Sequence, residues 1–397
     1  MNQESMQQKV ESALDNFHIE LPSWVFGNMG TRFGRFIQPA AAINIEEKFA
    51  DAGQVHALTG ITPTIALHVE WDLPNGCKDV TAIKRLETKY GVRAGSINPN
   101  LFSNQQYKYG SICNPDPGVR NLALDHLLEC VRISRDLETS DISIWLADGS
   151  NYPGTQSIHR RIGWMQECLD KVHRQLTPRQ RMLVEYKPFE PAFYHTDIAD
   201  WGMALTLARS AGAQAFVLVD LGHHYQSQNV EQIVTWLLHL GMLGGFHLND
   251  RRYADDDLSI GSIDPYQVFR IFHEILYSRS LANPDRRVTF MIDQSHNLKG
   301  KIEEMVQSIC VAQEMYARAA LIDQARLQEL QDACFLVEAE ELFRSAFWTD
   351  TRPLVQVWRK SRGLPKDPLQ ALCDSGYVEQ IARERQGERT ASSSSYA

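Results

Sequence analysis

The chain has no apolar run near the ~20 residues a membrane helix needs. Met1 to Leu14 is polar and carries no signal-peptide core. Cysteine is sparse and unpatterned. The seven residues (Cys77, Cys113, Cys130, Cys168, Cys310, Cys334 and Cys373) are scattered, odd in number and without a Cys-x-x-Cys pair. That suits a reducing cytosol better than a disulfide framework, so a soluble cytoplasmic protein is expected. There is no basic excess: 40 Lys and Arg stand against 49 Asp and Glu, a formal charge of −9. This argues against a nucleic-acid-binding protein, which needs a basic face. Three catalytic signatures are also missing: a Gly-x-Ser-x-Gly elbow, a phosphate-cradling P-loop and a dinucleotide fingerprint. Gly27 and Gly30 precede Thr31 in a context unlike a nucleotide loop.

What is present is a 397-residue chain, 43% hydrophobic, with ample material for a core. Apolar, β-branched runs alternate with helical periodicity. The runs expected as strands are Ser23–Phe26, Thr64–Val69, Val92–Ile97, Ile142–Leu146, 181–187, 214–220, 244–248 and Val288–Ile292. Helical spacing falls at 1–20, 44–58, 77–90, 116–137, 157–176, 197–211, 230–240 and 265–276. Eight such alternations predict a parallel sheet closed into a (β/α)8 TIM barrel, of the α/β class, with a doubly wound open sheet as the alternative. From Ile302 to Phe347 the pattern is helical throughout, without glycine or proline, and further helices are expected at 352–361 and 366–384. The expected organisation is a catalytic barrel over 1–300, a C-terminal helical extension over 301–389 that contacts a neighbouring subunit or the barrel exterior, and a disordered serine-rich tail over 390–397.

The chemistry concentrates between Arg181 and Asp257. Three apolar runs end in Glu185-Tyr186-Lys187, Asp220-Leu221-Gly222-His223-His224 and His247-Leu248-Asn249-Asp250. Asp255-Asp256-Asp257 follows, and the last strand ends in Asp293. Each group alone has an ordinary structural explanation: Asp220 and Asp293 as helix caps, His247 as a core histidine, Asp255 and Asp257 as a solvated turn, and Glu185 in a salt bridge with Lys187. Together they are harder to explain that way. Buried charges must be paired or bound to metal, and so many ligand groups at one mouth repel unless cations lie among them. Mixed carboxylate and imidazole sets favour Mn²⁺ or Mg²⁺, with Co²⁺ and Zn²⁺ also suited. The number exceeds one ion's needs, so two ions with a shared carboxylate are expected. Glu185 is the candidate bridge, and Asp220 and His223 can each serve a different ion. Lys187 could aid a sugar oxygen, and His68 could shuttle a proton during ring opening. Trp24, Trp71, Phe102 and Trp145 are candidate walls for the apolar face of a sugar.

At these residues the chain resembles the L-rhamnose isomerase family of the xylose-isomerase-like barrels, its bacterial branch of broad aldose specificity. The resemblance rests on Pro22-Ser23-Trp24, Gly30-Thr31-Arg32-Phe33, Leu67-His68 with Trp71-Asp72, and Tyr107-Lys108-Tyr109-Gly110-Ser111. It continues through Asp148-Gly149-Ser150-Asn151, Glu190-Pro191-Ala192-Phe193-Tyr194 and Val219-Asp220-Leu221-Gly222-His223-His224. Gly244-Gly245-Phe246-His247, Asp255-Asp256-Asp257-Leu258 and Met291-Ile292-Asp293-Gln294-Ser295-His296-Asn297 complete it. It spans residues 20 to 385. It implies that Glu185, Asp220, His247 and Asp293 hold a structural ion, and that His223, Asp255 and Asp257 hold a catalytic one. It further implies that His68, Trp145, Lys187, Glu185 and His223 contact substrate, that Trp24, Trp71 and Phe102 line the pocket, and that Phe33 closes the pocket of a neighbouring subunit in a homotetramer.

The expected reaction is reversible aldose–ketose isomerisation, L-rhamnose to L-rhamnulose, with D-allose, L-mannose and L-lyxose as related substrates. His68, Lys187 and Asp293 are the catalytic candidates. The rivals are another metal-dependent sugar isomerase or epimerase of the same barrels, a phosphoesterase cutting at abasic DNA sites, and a non-catalytic sugar-binding barrel. The acidic balance and aromatic rim disfavour the DNA enzyme.

Overall fold

The computed structural model describes residues 3–28, 30–31, 34–190, 194–253, 257–281, 287–294 and 298–386. Eight parallel strands form the central sheet: β1 (Leu21–Pro22), β2 (Thr64–His68), β3 (Arg93–Asn98), β4 (Asp141–Ile144), β5 (Arg181–Glu185), β6 (Ala215–Asp220), β7 (Leu243–Leu248) and β8 (Thr289–Ile292). They neighbour one another in chain order. The sheet closes where the Glu20 N–H donates to the Phe290 carbonyl (2.7 Å) and the Ile292 N–H to the Glu20 carbonyl (3.1 Å). This is the α/β barrel that the alternation predicts.

The helices are α1 (Gln3–Asp15), α2 (Ile45–Thr59), α3 (Val80–Tyr90), α4 (Pro117–Asp136), α5 (Ile158–His173), α6 (Trp201–Ala211), α7 (Val230–His239) and α8 (Pro265–Leu281). They continue with α9 (Lys301–Ala320), α10 (Gln324–Asp332), α11 (Leu336–Trp348), α12 (Arg352–Ser361), α13 (Pro368–Ser375) and α14 (Tyr377–Gln386). Short polar side chains start many of them. Asn44, Asp116, Ser157, Asp200 and Asn229 each accept from a backbone N–H of the first turn, which satisfies a donor the helix leaves unpaired. The core lies between the outer faces of the strands and this helical ring, through residues such as Ile65, Ile142, Val184, Val217 and Phe246. Phe17, just past α1, stacks on Tyr316 of α9 with ring centroids 3.9 Å apart, and meets Phe290 of β8 edge-on.

One expectation is corrected. Ser23–Phe26 is not a strand but one 3-10 turn, and the first strand is the preceding Leu21–Pro22. Pro22 lacks the N–H that would extend the ladder, and the Gly27 N–H closes the turn on the Trp24 carbonyl (3.1 Å). The helical stretch from Ile302 to Phe347 divides into three helices. Asp323 caps α10 by accepting from the Arg326 N–H (3.1 Å), and Cys334 takes a positive φ of 59° that turns the chain before α11. Composition alone does not show such breaks, because capping and a single left-handed residue need neither glycine nor proline.

The helices beyond α9 lie on the barrel's own exterior. Phe343 and Phe347 of α11 pack edge-on against Phe269 of α8. Trp358 of α12 donates its indole N–H to Asp15 (2.9 Å), and Arg385 of α14 pairs with Asp51 of α2 (2.9 Å). No helix among the described residues is long and apolar enough to cross a membrane.

Candidate active site

Side chains alternate across a strand, so Arg181, Leu183 and Glu185 share the inner face of β5, and Leu218 and Asp220 that of β6. The C-terminal ends of β5 to β8 deliver Glu185, Asp220, His247 and Asp293 to one mouth of the barrel. The turn after β6 returns His223 to the same place. In that turn Asp220 Oδ1 accepts from the Gly222 N–H (2.7 Å) and the His223 N–H bonds back to the Asp220 carbonyl (3.3 Å).

Two groups of ligating atoms result, each with its atoms within 4.8 Å of one another: Glu185, Asp220 and His223, and Asp220, His247 and Asp293. Asp220 belongs to both. His247 Nδ1 faces Asp293 at 3.3 Å, Glu185 at 3.4 Å and Asp220 at 3.6 Å. Yet Nδ1 and Asp220 Oδ2 are buried without a hydrogen-bond partner. Burial by itself would hold the His247 imidazole neutral, but the surrounding carboxylates outweigh it and push its pKa well above the ordinary value. Burial likewise pushes Glu185 up, and the imidazoles of His247 and His223 overcome it and hold the carboxyl well below the usual range. Burial raises Asp293 to about 7, against the pull of His247 and with Asp220 adding to the rise. Its side chain keeps 23% of its surface open. Carboxylates packed this closely require positive charge among them. The orphaned carboxylate oxygen and imidazole nitrogen, the oxygen-rich donor set and the shared Asp220 fit divalent cations.

The second layer is neutral. His223 Nδ1 lies 3.0 Å from the Tyr186 carbonyl. A carbonyl only accepts, so Nδ1, which also lies 3.2 Å from Glu185 Oε1, carries the proton, and Nε2 is the atom that could hold an ion. Asn249, fully buried and two residues past His247, donates from Nδ2 to Asp220 Oδ1 and to the Asp293 carbonyl, both at 2.9 Å. Tyr186 Oη and His224 Nε2 pair at 2.6 Å behind the turn.

Aromatic rings form one wall of the mouth. Trp24 meets His68 edge-on at 6.1 Å, His68 stacks on Trp71 at 3.7 Å, and Phe102 meets His68 at 5.6 Å and Trp145 at 5.1 Å. The Trp24 indole N–H donates to Asp293 Oδ1 (3.1 Å), which ties wall to ligand cluster. Lys187 Nζ sits 5.2 Å from the Trp145 ring centroid. It pairs with Glu190 at 2.9 Å rather than with Glu185. His68 is clasped by Asp72, whose Oδ2 accepts from the His68 N–H (2.8 Å) and from Ser23, and whose Oδ1 pairs with Lys48 (2.6 Å). Burial lowers the His68 pKa to about 4, against the opposite pull of Asp72.

Asp257, half-buried at φ 46°, lies in neither group. Asp255 and Phe33 fall outside the described residues. Sequence reasoning assigned no role to Asn249 or Asp72. For Asn249 a signal was available, since it shares a strand face with His247 if β7 runs on. A third group, Cys113, Asp148 and Asp197, has similar spacing but is already satisfied. Asp197 pairs with the buried Arg161 (2.6 Å), and Asp148 accepts from the Ser111 (2.7 Å) and Cys113 (2.9 Å) N–H groups. A cavity of about 1310 Å³ opens at the opposite mouth, lined by residues such as Glu20, Arg93, Asp141 and Arg287, and holds none of the clustered ligands.

The barrel and its acidic mouth define a class of enzyme, and comparison with known proteins supplies the family. No family model matches the chain. It is 35% identical over 381 residues to a probable sugar isomerase of Mesorhizobium japonicum, covering 95% of this chain and 88% of that protein. It is 22% identical over 373 residues to an L-rhamnose isomerase of Bacteroides thetaiotaomicron, covering 86% and 87% respectively. A xylose isomerase domain protein of Alicyclobacillus acidocaldarius shares the fold with a TM-score of 0.54 at 14% identity, over 77% of this chain and 99% of that one. The chain is therefore a xylose-isomerase-like barrel. It belongs to the family of sugar isomerases that includes the Mesorhizobium protein.

Proposed function

We propose that the protein is a divalent-metal aldose–ketose isomerase that converts L-rhamnose to L-rhamnulose and accepts related aldoses such as D-allose, L-mannose and L-lyxose. The observation that carries the isomerase reading is the shared Asp220, which joins two carboxylate–imidazole groups at a mouth walled by aromatic rings. The sugar preference is supported by the motif resemblance and by the likeness to the Bacteroides enzyme. In this reading Glu185, Asp220, His247 and Asp293 would hold one ion and His223, Asp255 and Asp257 the second, with Asp220 also in reach of the second through its group with Glu185 and His223, and with Mn²⁺ the best match to the donor set. Bound there, the ions supply Lewis-acid polarisation of the sugar's first two oxygens.

The chain's own residues do the rest. The His68 Nδ1–H donates to the Val69 carbonyl (2.9 Å), so Nε2 presents its lone pair to the mouth. With a pKa near 4 it is neutral at pH 7 and competent to take a hydroxyl proton as the ring opens. Lys187, fixed by Glu190 and seated over Trp145, donates to a sugar oxygen. Trp24, Trp71, Phe102 and Trp145 cover the carbon–hydrogen face of the sugar and exclude water. Glu185 and Asp293 are ligands here, and a homotetramer belongs to the same reading.

The test is metal-stripped protein given rhamnose, mannose, lyxose and allose, with Mn²⁺, Co²⁺ or Mg²⁺ added back. Ketose should appear only with metal and fastest from rhamnose. Glu185→Gln or Asp293→Asn should abolish turnover. Metal-independent turnover, an epimer as product, or near-normal activity of either variant refutes the assignment.

A further inference from the structure

Gln294 follows Asp293 and is fully buried. Its amide oxygen accepts from the Ile260 N–H at 2.7 Å. Its amide nitrogen donates to Glu304 Oε1 of α9 at 2.6 Å and to Ser308 Oγ at 2.9 Å. Ile260 stands at the base of the loop that carries Asp257. That loop leaves the sheet at Asp250 and returns at Leu258, where two backbone hydrogen bonds of 2.8 and 2.9 Å close it. A single side chain therefore ties the backbone beside Asp293 to the backbone three residues past Asp257. Both ends of the amide are needed. Glutamate would set a carboxylate against buried Glu304, and an apolar side chain would leave the Ile260 N–H and Glu304 without this partner.

We propose that Gln294 is a positioning residue that couples the two halves of the ion site, holding the Asp257 loop in register with Asp293. This rests on the two-ion reading above. Partners behind metal ligands set affinity, and their loss weakens it about 10- to 100-fold. The experiment is calorimetric titration of the full-length, metal-stripped protein with Mn²⁺ and with Co²⁺, the latter also followed by its visible absorption. The wild type should bind two ions. Gln294→Met should bind one ion normally and the other about 10- to 100-fold more weakly, the same ion that Asp257→Asn weakens. Ser308→Ala removes a hydrogen bond from the same amide but leaves the link intact, so both affinities should hold. If Gln294→Met fails to fold by circular dichroism, Gln294→Asn, too short to reach both partners, should show the same selective loss. Unchanged binding in the folded Gln294 variant, or equal weakening of both ions in it and in Ser308→Ala, overturns the coupling alone. A wild type that binds fewer than two ions overturns the two-ion reading and the coupling with it.

Discussion

Replacing Asp220 with asparagine tests whether its second oxygen faces a cation. Asp220 Oδ1 already accepts from two donors, the Gly222 N–H at 2.7 Å and Asn249 Nδ2 at 2.9 Å, while buried Oδ2 has no hydrogen-bond partner. The environment dictates how the amide sits: its oxygen takes the Oδ1 place and its NH₂ takes the Oδ2 place, with donors aimed where an ion would be. The fold should survive, since both hydrogen bonds are kept. Removing one partner of a buried charge pair costs about 3–5 kcal/mol, so ion affinity should fall by at least about 100-fold. For one ion at about a thousand times its Kd, binding stabilises the wild type by ~4 kcal/mol; after a 100-fold loss the gain is ~1.4 kcal/mol. With an unfolding entropy of about 2.1 cal/mol/K per residue, the Mn²⁺-induced rise in Tm should drop from about 5 °C to about 2 °C. Thermal unfolding with and without EDTA reads this directly. A variant whose Tm still rises as far as the wild type's refutes the placement of Oδ2, and a wild type with no rise refutes the ion site.

Two further outcomes follow from buried charge elsewhere. Arg181 donates to Asp141 at 2.9 and 2.7 Å at the far end of the barrel, so Arg181→Met should destabilise the apo-protein in urea by about 3 kcal/mol, with Arg287 3.7 Å away softening the loss. Ion affinity should not change, and Asp141→Leu in the same chain should recover most of the stability. His68 has a depressed pKa, so its contribution to stability is present above its ordinary value of 6.5 and is lost as pH falls through about 4. That is at most about 3 kcal/mol, and it should vanish from the acid limb of the His68→Phe unfolding profile. Turnover should likewise fall near pH 4 and not near 6.5 if His68 acts as the base.

The barrel was legible because its period is local: every strand but the first declares itself within a short apolar run, each helix by a face. The convergence of Glu185, Asp220, His247 and Asp293 was legible for the same reason, since each lies within one residue of the end of its strand. What escaped was set by contacts distant in sequence. Asn249 and Gln294 are neutral amides, and nothing beside them in the chain marks the buried partners they serve. The expected strand over 181–187 would set Lys187 on the face of Glu185. β5 ends at Glu185, and the lysine instead finds Glu190 in the short hairpin that follows. Trp24 reaches the mouth from a 3-10 turn rather than from the expected strand, because a proline-terminated strand of two residues is too short to carry a periodic signal.

The short first strand also bears on when the site can exist. Glu20 can close the sheet only against Phe290 and Ile292, and Trp24 finds Asp293 across 269 residues of chain. Contacts of such separation are reached late in folding, after the intervening loop entropy has been overcome. A nascent chain that has made β1 to β7 holds Glu185, Asp220 and His247 but lacks the seam and Asp293. On the proposed two-ion reading, capture of the ion that Asp293 would help to hold reports completion of the barrel, and the closed ring is the species that this cation would select from the folding ensemble.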